Sequence, residues 1–326
     1  MKNSKKISLA MLVIIIGAFI LGSHSLSLAE YPESPVSIIV AYSPGGATDF
    51  QARIVTMMAG LEKYLGQPIV VINKPGAGGQ VGWNWCIEKG SKDGYTMLAY
   101  NVPHIIAQSI VYKTKYNIRE FEPIANWGAD PAVLIVPKDS PFNTTQELIN
   151  YAKENPKKIT VSGAGMFVGH HIAFLHFSEA AGIEMTYIPE KGGVPAMQSV
   201  VAGKVKAGFN NLSDSYRNKD RIKILAIADL ERHEFLPDVK TFKEMGIDVD
   251  DSSVNFRGIA FPKGVPQDII DKCAEIFSKM FNDPKIISKM KASGSPRRVM
   301  TRNQVITMFQ EREGYLGPLL KKLKKQ

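Results

Sequence analysis

Ser37-Ile38-Ile39-Val40-Ala41-Tyr42-Ser43-Pro44-Gly45-Gly46-Ala47-Thr48-Asp49 is a short apolar strand that breaks into a Pro-Gly-Gly turn and restarts as a helix carrying Asp49 and Arg53. The first amides of a helix have no partner inside it, and the peptide dipoles add positive potential there. Glycines at 45 and 46 remove side chains that would keep a ligand away from those amides. The corner suits a carboxylate or another small oxyanion. It binds an anion but brings no nucleophile or base of its own.

The same strand–turn–helix grammar recurs along the chain and predicts an α/β fold with largely parallel sheets. Strands are expected at 36–41, 69–72, 96–99, 132–136, 158–161, 184–188, 207–209, 222–228 and 258–261. Helices are expected at 48–65, 80–89, 145–154, 170–181, 195–202, 266–282, 284–292 and 302–323. Thr144 with Glu147 makes a capping box for the third of these, and Gly66 and Gly182 fit as helix stops. Turn-forming residues gather at Gly128-Ala129-Asp130-Pro131 and again over 248–255. Between them lies a self-contained block, so the expected lobes are 30–128 with 256–326, and 129–255. A chain that leaves one lobe and returns crosses twice, which places a ligand cleft between them. No internal sequence repeat is visible.

Residues 1–29 have a basic start (Lys2, Lys5, Lys6), an apolar run from Ile7 to Leu21, and small residues at Ser27 and Ala29. That is the pattern of a secretory signal peptide cleaved after Ala29, hence export to the periplasm. A retained membrane anchor is the alternative. The formal net charge of +9 is partly a matter of that leader and of the lysine-rich tail at 321–325. There is no interleaved basic and aromatic platform of the kind that binds nucleic acid. Cys86 and Cys273 lie in helical segments; export permits a bridge, and buried thiols are the competing reading.

Other candidate chemistry is weak. Gly76-Ala77-Gly78-Gly79-Gln80-Val81-Gly82 follows a strand, but Val81 stands where a dinucleotide fingerprint needs its third glycine. A tight turn that lets strand and helix pack closely fits better. Ser162-Gly163-Ala164-Gly165-Met166-Phe167-Val168-Gly169-His170-His171 is a second glycine-rich helix start. Either it exposes orphan amides toward the first corner, gripping one anion from both lobes, or it is an ordinary connection. His170, His171 and His176 lack the spacing of a zinc helix, so no metal is expected; His171 fits a cap or core role, with His170 reaching the cleft. No Gly-x-Ser-x-Gly elbow exists and Ser43 has no paired base, so no catalytic residue and no cofactor are expected.

Together with Tyr31-Pro32, the Pro44-Gly45-Gly46-x-x-Asp49-x-x-Ala52-Arg53 segment and Asn73-Lys74-Pro75-Gly76-Ala77-Gly78-Gly79 resemble the receptors of tripartite tricarboxylate transporters, the Bug receptors. The likeness continues through Asp93-Gly94-Tyr95-Thr96, Lys191-Gly192-Gly193-x-Pro195-Ala196, Leu236-Pro237-Asp238-Val239-x-Thr241 and Ala260-x-Pro262-x-Gly264-x-Pro266. The resemblance implies a type II-like, two-lobed periplasmic binding protein that closes on a small organic acid and delivers it to the membrane subunits of a transporter. It implies a monomer and no enzyme; a sensor that docks on a membrane kinase is the alternative, and an exported enzyme acting on small carboxylates a more distant one. The ligand loops it implies are Tyr42, Ser43, Gly45, Gly46, Ala47, Thr48 and Asp49 in one lobe, and Gly165, Phe167, Val168, Gly169 and His170 in the other. Tyr100 and Asn101, and Asn210 and Asn211, are the further pocket pairs it implies. Departures toward Met166, Phe167 and Val168, where hydroxyl residues are usual, leave room for a monocarboxylate or an aromatic acid. Arg257 either faces the cleft and reads a second carboxylate or is a surface charge.

Overall fold

The computed structural model describes residues 31–323; the expected leader lies outside them. From Ser34 onward the described residues form one compact unit, which carries the fold. Its strands are β1 (Val36–Val40), β2 (Ile69–Asn73), β3 (Thr96–Val102), β4 (Phe121–Asp130), β5 (Ala132–Pro137), β6 (Thr160–Gly163), β7 (Thr186–Pro189), β8 (Ala207–Asn211), β9 (Ile222–Ala228) and β10 (Asn255–Pro262). The helices are α1 (Ala47–Thr56), α2 (Gln80–Lys89), α3 (His104–Val111), α4 (Thr145–Glu154), α5 (Gly169–Ala181), α6 (Gly193–Val201), α7 (Leu212–Arg217), α8 (Gln267–Phe281), α9 (Pro284–Ala292) and α10 (Arg302–Leu323). No helix among the described residues is long and apolar enough to cross a membrane.

Two five-stranded sheets result, ordered β2-β1-β3-β10-β4 and β7-β6-β8-β5-β9. The orders are the same pattern written twice. In each, two parallel pairings are followed by one strand inserted antiparallel between its neighbours: β10 in the first sheet and β5 in the second. The expectation of largely parallel sheets is therefore corrected, because half of the pairings are antiparallel. The inserted strands are those next to the two crossings, where the chain arrives from the other lobe with reversed direction. Asp130-Pro131-Ala132 makes the first crossing in a single residue between β4 and β5, and the second enters β10 at Asn255.

Local chemistry explains the element ends. Thr144 accepts from the Glu147 amide and Glu147 reaches back to the Thr144 amide, a reciprocal cap on α4. Gly182, left-handed at φ 61°, stops α5. The first helix ends at Thr56, not at 65. Beyond it the chain tightens into i→i+3 turns, with Gly60, a poor helix former, lying against Pro68. Strand β4 was not expected because Pro123 and Gly128 interrupt it. It is an edge strand, so the amide that Pro123 lacks is not needed on its open side, and β-bulges opposite it absorb the irregularity.

Each sheet has its own core. Trp83, Tyr100, Ile105, Phe256 and Phe309 pack in the first lobe; Phe177, Phe209 and Phe242 pack in the second. Gly82 marks a close helix-to-strand approach in the first, since a Cβ there would meet the Ala41 side chain at 2.8 Å. Cys86 and Cys273 are both buried and form no disulfide, and burial pushes the Cys86 thiol up to about 12.

Candidate functional site

The carboxyl ends of β1 and β3 in one sheet and of β6 and β8 in the other converge on a narrow inner cavity of 20 Å³. Its walls include Tyr42, Ser43, Gly46, Ala47, Thr48 and Asn101 from the first lobe, with Ala164, His170 and Asn211 from the second. The wall also holds His104, Gly193, Val194, Asp214 and Asn255, none of them singled out from sequence. A larger outer cavity of 690 Å³ shares Tyr42, Ser43 and Ala164 with it and opens past the 75–80 loop, Tyr112, Gly165, Met166 and 189–191.

The strand, turn and helix start of the first corner form where the sequence placed them. Gly46 is the N-cap of α1 and no side chain caps the helix. Gly45 adopts φ 81°, which only glycine takes without strain. Gly46 does not: its φ is −72°, and a Cβ there would sit 3.6 Å from Ser43 O and 3.8 Å from Val194. Asp49 turns back to accept from the Gly45 amide (2.9 Å) and pairs with Arg53 and Asn73, so it braces the loop instead of lining the cavity. Burial pushes its carboxyl up, but the bonds from Arg53, Gly45 and Asn73 outweigh that and hold it below its ordinary value.

The second corner differs from the expectation. Its amides are not offered bare, because imidazole nitrogens take them: Ala164 N donates to His170 Nδ1 (3.1 Å), Phe167 N to His171 Nδ1 (3.1 Å), and Gly169 N to His104 Nε2 (3.4 Å). Gly169 and Val168 therefore shape the start of α5 without lining either cavity, and Phe167 packs its ring on Tyr112 and His171. His171 lies against Phe174 and Tyr187. Burial pulls His170 and His171 down to about 4; for His170 the nearby Asn211 opposes and Arg257 adds to it. His104 is also well below its usual range, through burial and then through His170 and Arg257. Each of the three rings accepts a backbone amide at one nitrogen, which only a neutral imidazole can do.

Beneath both corners sits Arg257, wholly buried and pairing with Asp130 at 2.6 Å. It takes neither role open to it from sequence. Its Nε donates to Thr48 Oγ1 (3.2 Å), Nη1 to Gln51 Oε1 (3.3 Å) and Nη2 to Asn211 Oδ1 (2.8 Å). One guanidinium thus ties α1, the first crossing and the end of β8 together, and its charge lies under the cavity floor. Tyr100 is likewise beneath the site, donating to Asn126 (2.9 Å) and packing on Phe309. Asn210 donates to Gly193 O (3.0 Å) and accepts from the Asn211 amide, fixing the second wall from behind. Asp214 is paired with Arg217; burial raises its carboxyl, with Arg217 and Asn211 opposing. Among the described residues no group of three or more His, Cys, Asp or Glu is placed to hold a metal ion.

His104 gave a weak signal: it opens a helix two residues after the Asn101 strand end, at the carboxyl edge where ligands bind. Gly193 lay within a quoted motif but was not assigned to the site.

Two sheets of matching order, crossed twice by the chain and walling one cavity, define a two-lobed periplasmic binding protein. The chain belongs to the tripartite tricarboxylate transporter receptor family, whose sequence pattern, described as "Tripartite tricarboxylate transporter family receptor", matches residues 52–324. It is 31% identical over 259 residues to a Cupriavidus necator protein described as "UPF0065 protein in gbd 5'region", covering 78% of this chain and 77% of that one. It is 28% identical over 301 residues to protein BugT of Bordetella pertussis, covering 90% and 91%. The solved periplasmic binding protein BugD superposes with a TM-score of 0.83 at 28% identity, covering 90% of this chain and 99% of that one.

Proposed function

We propose that this receptor binds a small organic carboxylate between its lobes and hands it to the membrane subunits of a tripartite tricarboxylate-type transporter. It does so as an exported monomer and without catalysis. The observation that carries this reading is the inner cavity, walled at once by the uncapped start of α1 and by His170 and Asn211 of the opposite lobe. Every group there that is aimed at an anion is a neutral N–H donor or a helix amide, and the Arg257 charge lies below. A closed, largely dry site strengthens such bonds. The lobes, 30–128 with 256–326 against 129–255, would swing about Asp130-Pro131 and the segment before Asn255. A ligand bound by both walls favours the closed form by its differential affinity. Delivery to a permease is supported by the family to which the chain belongs.

Thermal-shift screening of the exported chain against organic acids, sugars and inorganic cations tests the reading, since a ligand selective for the folded form raises stability by mass action. At least one organic acid should stabilise it and be confirmed by calorimetry. Stabilisers confined to sugars or cations would remove the carboxylate assignment.

A further inference from the structure

Three buried polar atoms of residues that wall the inner cavity have no hydrogen-bond partner: His104 Nδ1, His170 Nε2 and Asn101 Oδ1. What the other half of each group does fixes their chemistry. His104 Nε2 accepts the Gly169 amide, so its proton sits on Nδ1. His170 Nδ1 accepts the Ala164 amide, so its proton sits on Nε2. Asn101 spends both amide hydrogens, on Thr48 Oγ1 (2.9 Å) and Asn255 Oδ1 (3.1 Å), which leaves its oxygen as a pure acceptor. The three residues are no more than 3% exposed. Leaving a buried polar group unanswered is costly in such surroundings, and native interiors carry few of them. A ligand that answers all three recovers that cost on binding.

A bare carboxylate answers only two. It accepts from both imidazoles, but it has no hydrogen to give and sets negative charge against Asn101 Oδ1. Resting on the carboxylate-receptor reading above, we propose that the ligand's head is a carboxylate whose adjacent carbon bears a hydrogen-bond donor, a hydroxyl or an ammonium. The carboxylate oxygens accept from His104 Nδ1–H and His170 Nε2–H, and the neighbouring donor is taken by Asn101 Oδ1. Asp214, on the same wall and accepting from Arg217 and Asn211, adds negative charge that favours the ammonium over the hydroxyl. The rest of the ligand extends into the outer cavity, where Pro75, Tyr112 and Met166 offer an apolar wall.

Calorimetry on matched acids tests this: propanoate, lactate and alanine, then 3-phenylpropanoate with its 2-hydroxy and 2-amino derivatives. The 2-substituted member of a series should bind roughly ten-fold tighter or more than the unsubstituted acid, because the latter strands a buried acceptor. Whichever of the hydroxy and amino acids binds tighter identifies the donor. Equal or tighter binding of the unsubstituted acids would overturn the head-group assignment while leaving the carboxylate reading intact. Failure of every carboxylate to bind would remove both. A ligand-free arm uses nitrogen-15 histidine spectra near neutral pH. His104 should show the Nδ1–H tautomer and His170 the Nε2–H tautomer, and the reverse tautomer or an imidazolium at either ring would overturn the donor set.

Discussion

The two glycine-rich helix starts look alike in sequence and do different things. At residues 42–49 the Gly45 and Gly46 amides are spent within the loop, on Asp49 and Ser43 O, while no side chain caps the helix that starts at Ala47. At residues 163–171 three amides are already taken by His170, His171 and His104, and the lobe presents the far nitrogens of two of those rings. One corner offers the backbone of an uncapped helix start, the other imidazole nitrogens whose rings are set by backbone amides. A glycine-rich turn before a helix therefore identifies a place where donors converge, and the neighbouring side chains decide which donors reach the ligand.

The largest expected effect lies beneath both corners. Arg257→Met leaves Asp130 as an uncompensated buried charge, and removal of one partner from such a pair costs about 3–5 kcal/mol. Urea unfolding should show that loss, and acid binding should weaken for every ligand alike, since Thr48 and Asn211 both lose their anchor. A loss confined to diacids, with stability unchanged, would return Arg257 to the cleft.

Next in size is the acid sensitivity of the second corner. His170 and His171 are held at about 4 against an ordinary 6.5. Their unfolded forms therefore bind more protons between those values, and the stabilisation is complete above 6.5 and lost as pH falls toward 4. Each ring is worth about 3 kcal/mol over that window. His171→Gln should flatten the slope of stability against pH measured by chemical denaturation; an unchanged slope would mean that the ring is not held neutral by the fold.

Smaller effects separate the two glycines of the first corner. Gly45→Ala forces a left-handed conformation on alanine and should cost about 1–2 kcal/mol in urea unfolding. Gly46→Ala should cost less in stability, because its backbone is ordinary and the new methyl meets only van der Waals contacts, but should weaken acid binding, because that methyl joins the wall of the inner cavity. A reversal of that order would show that the loop is drawn wrongly.

Much of this was legible where the determinants are local. The strand and turn at 36–46 follow from apolar β-branched residues running into Pro-Gly-Gly, and α4 follows from Thr144 and Glu147. What was hidden depends on distant partners. Strands β5 and β10 reverse direction only because each is inserted into a sheet begun elsewhere in the chain. Arg257 finds Asp130 across 127 residues, and His104 reaches Gly169 across 65. No periodicity in one sequence reports such contacts. The repeated sheet order also left no trace as a sequence repeat, because different residues fill equivalent places in the two cores.

A crystal structure of the receptor with the tightest acid from the screen addresses the central claim directly. The carboxylate should lie within hydrogen-bond distance of the α1 amides at Ala47 or Thr48 and of His170 Nε2, with both lobes in contact. An acid seated wholly in the outer cavity, with His104 Nδ1 and His170 Nε2 still unpaired, would contradict the account.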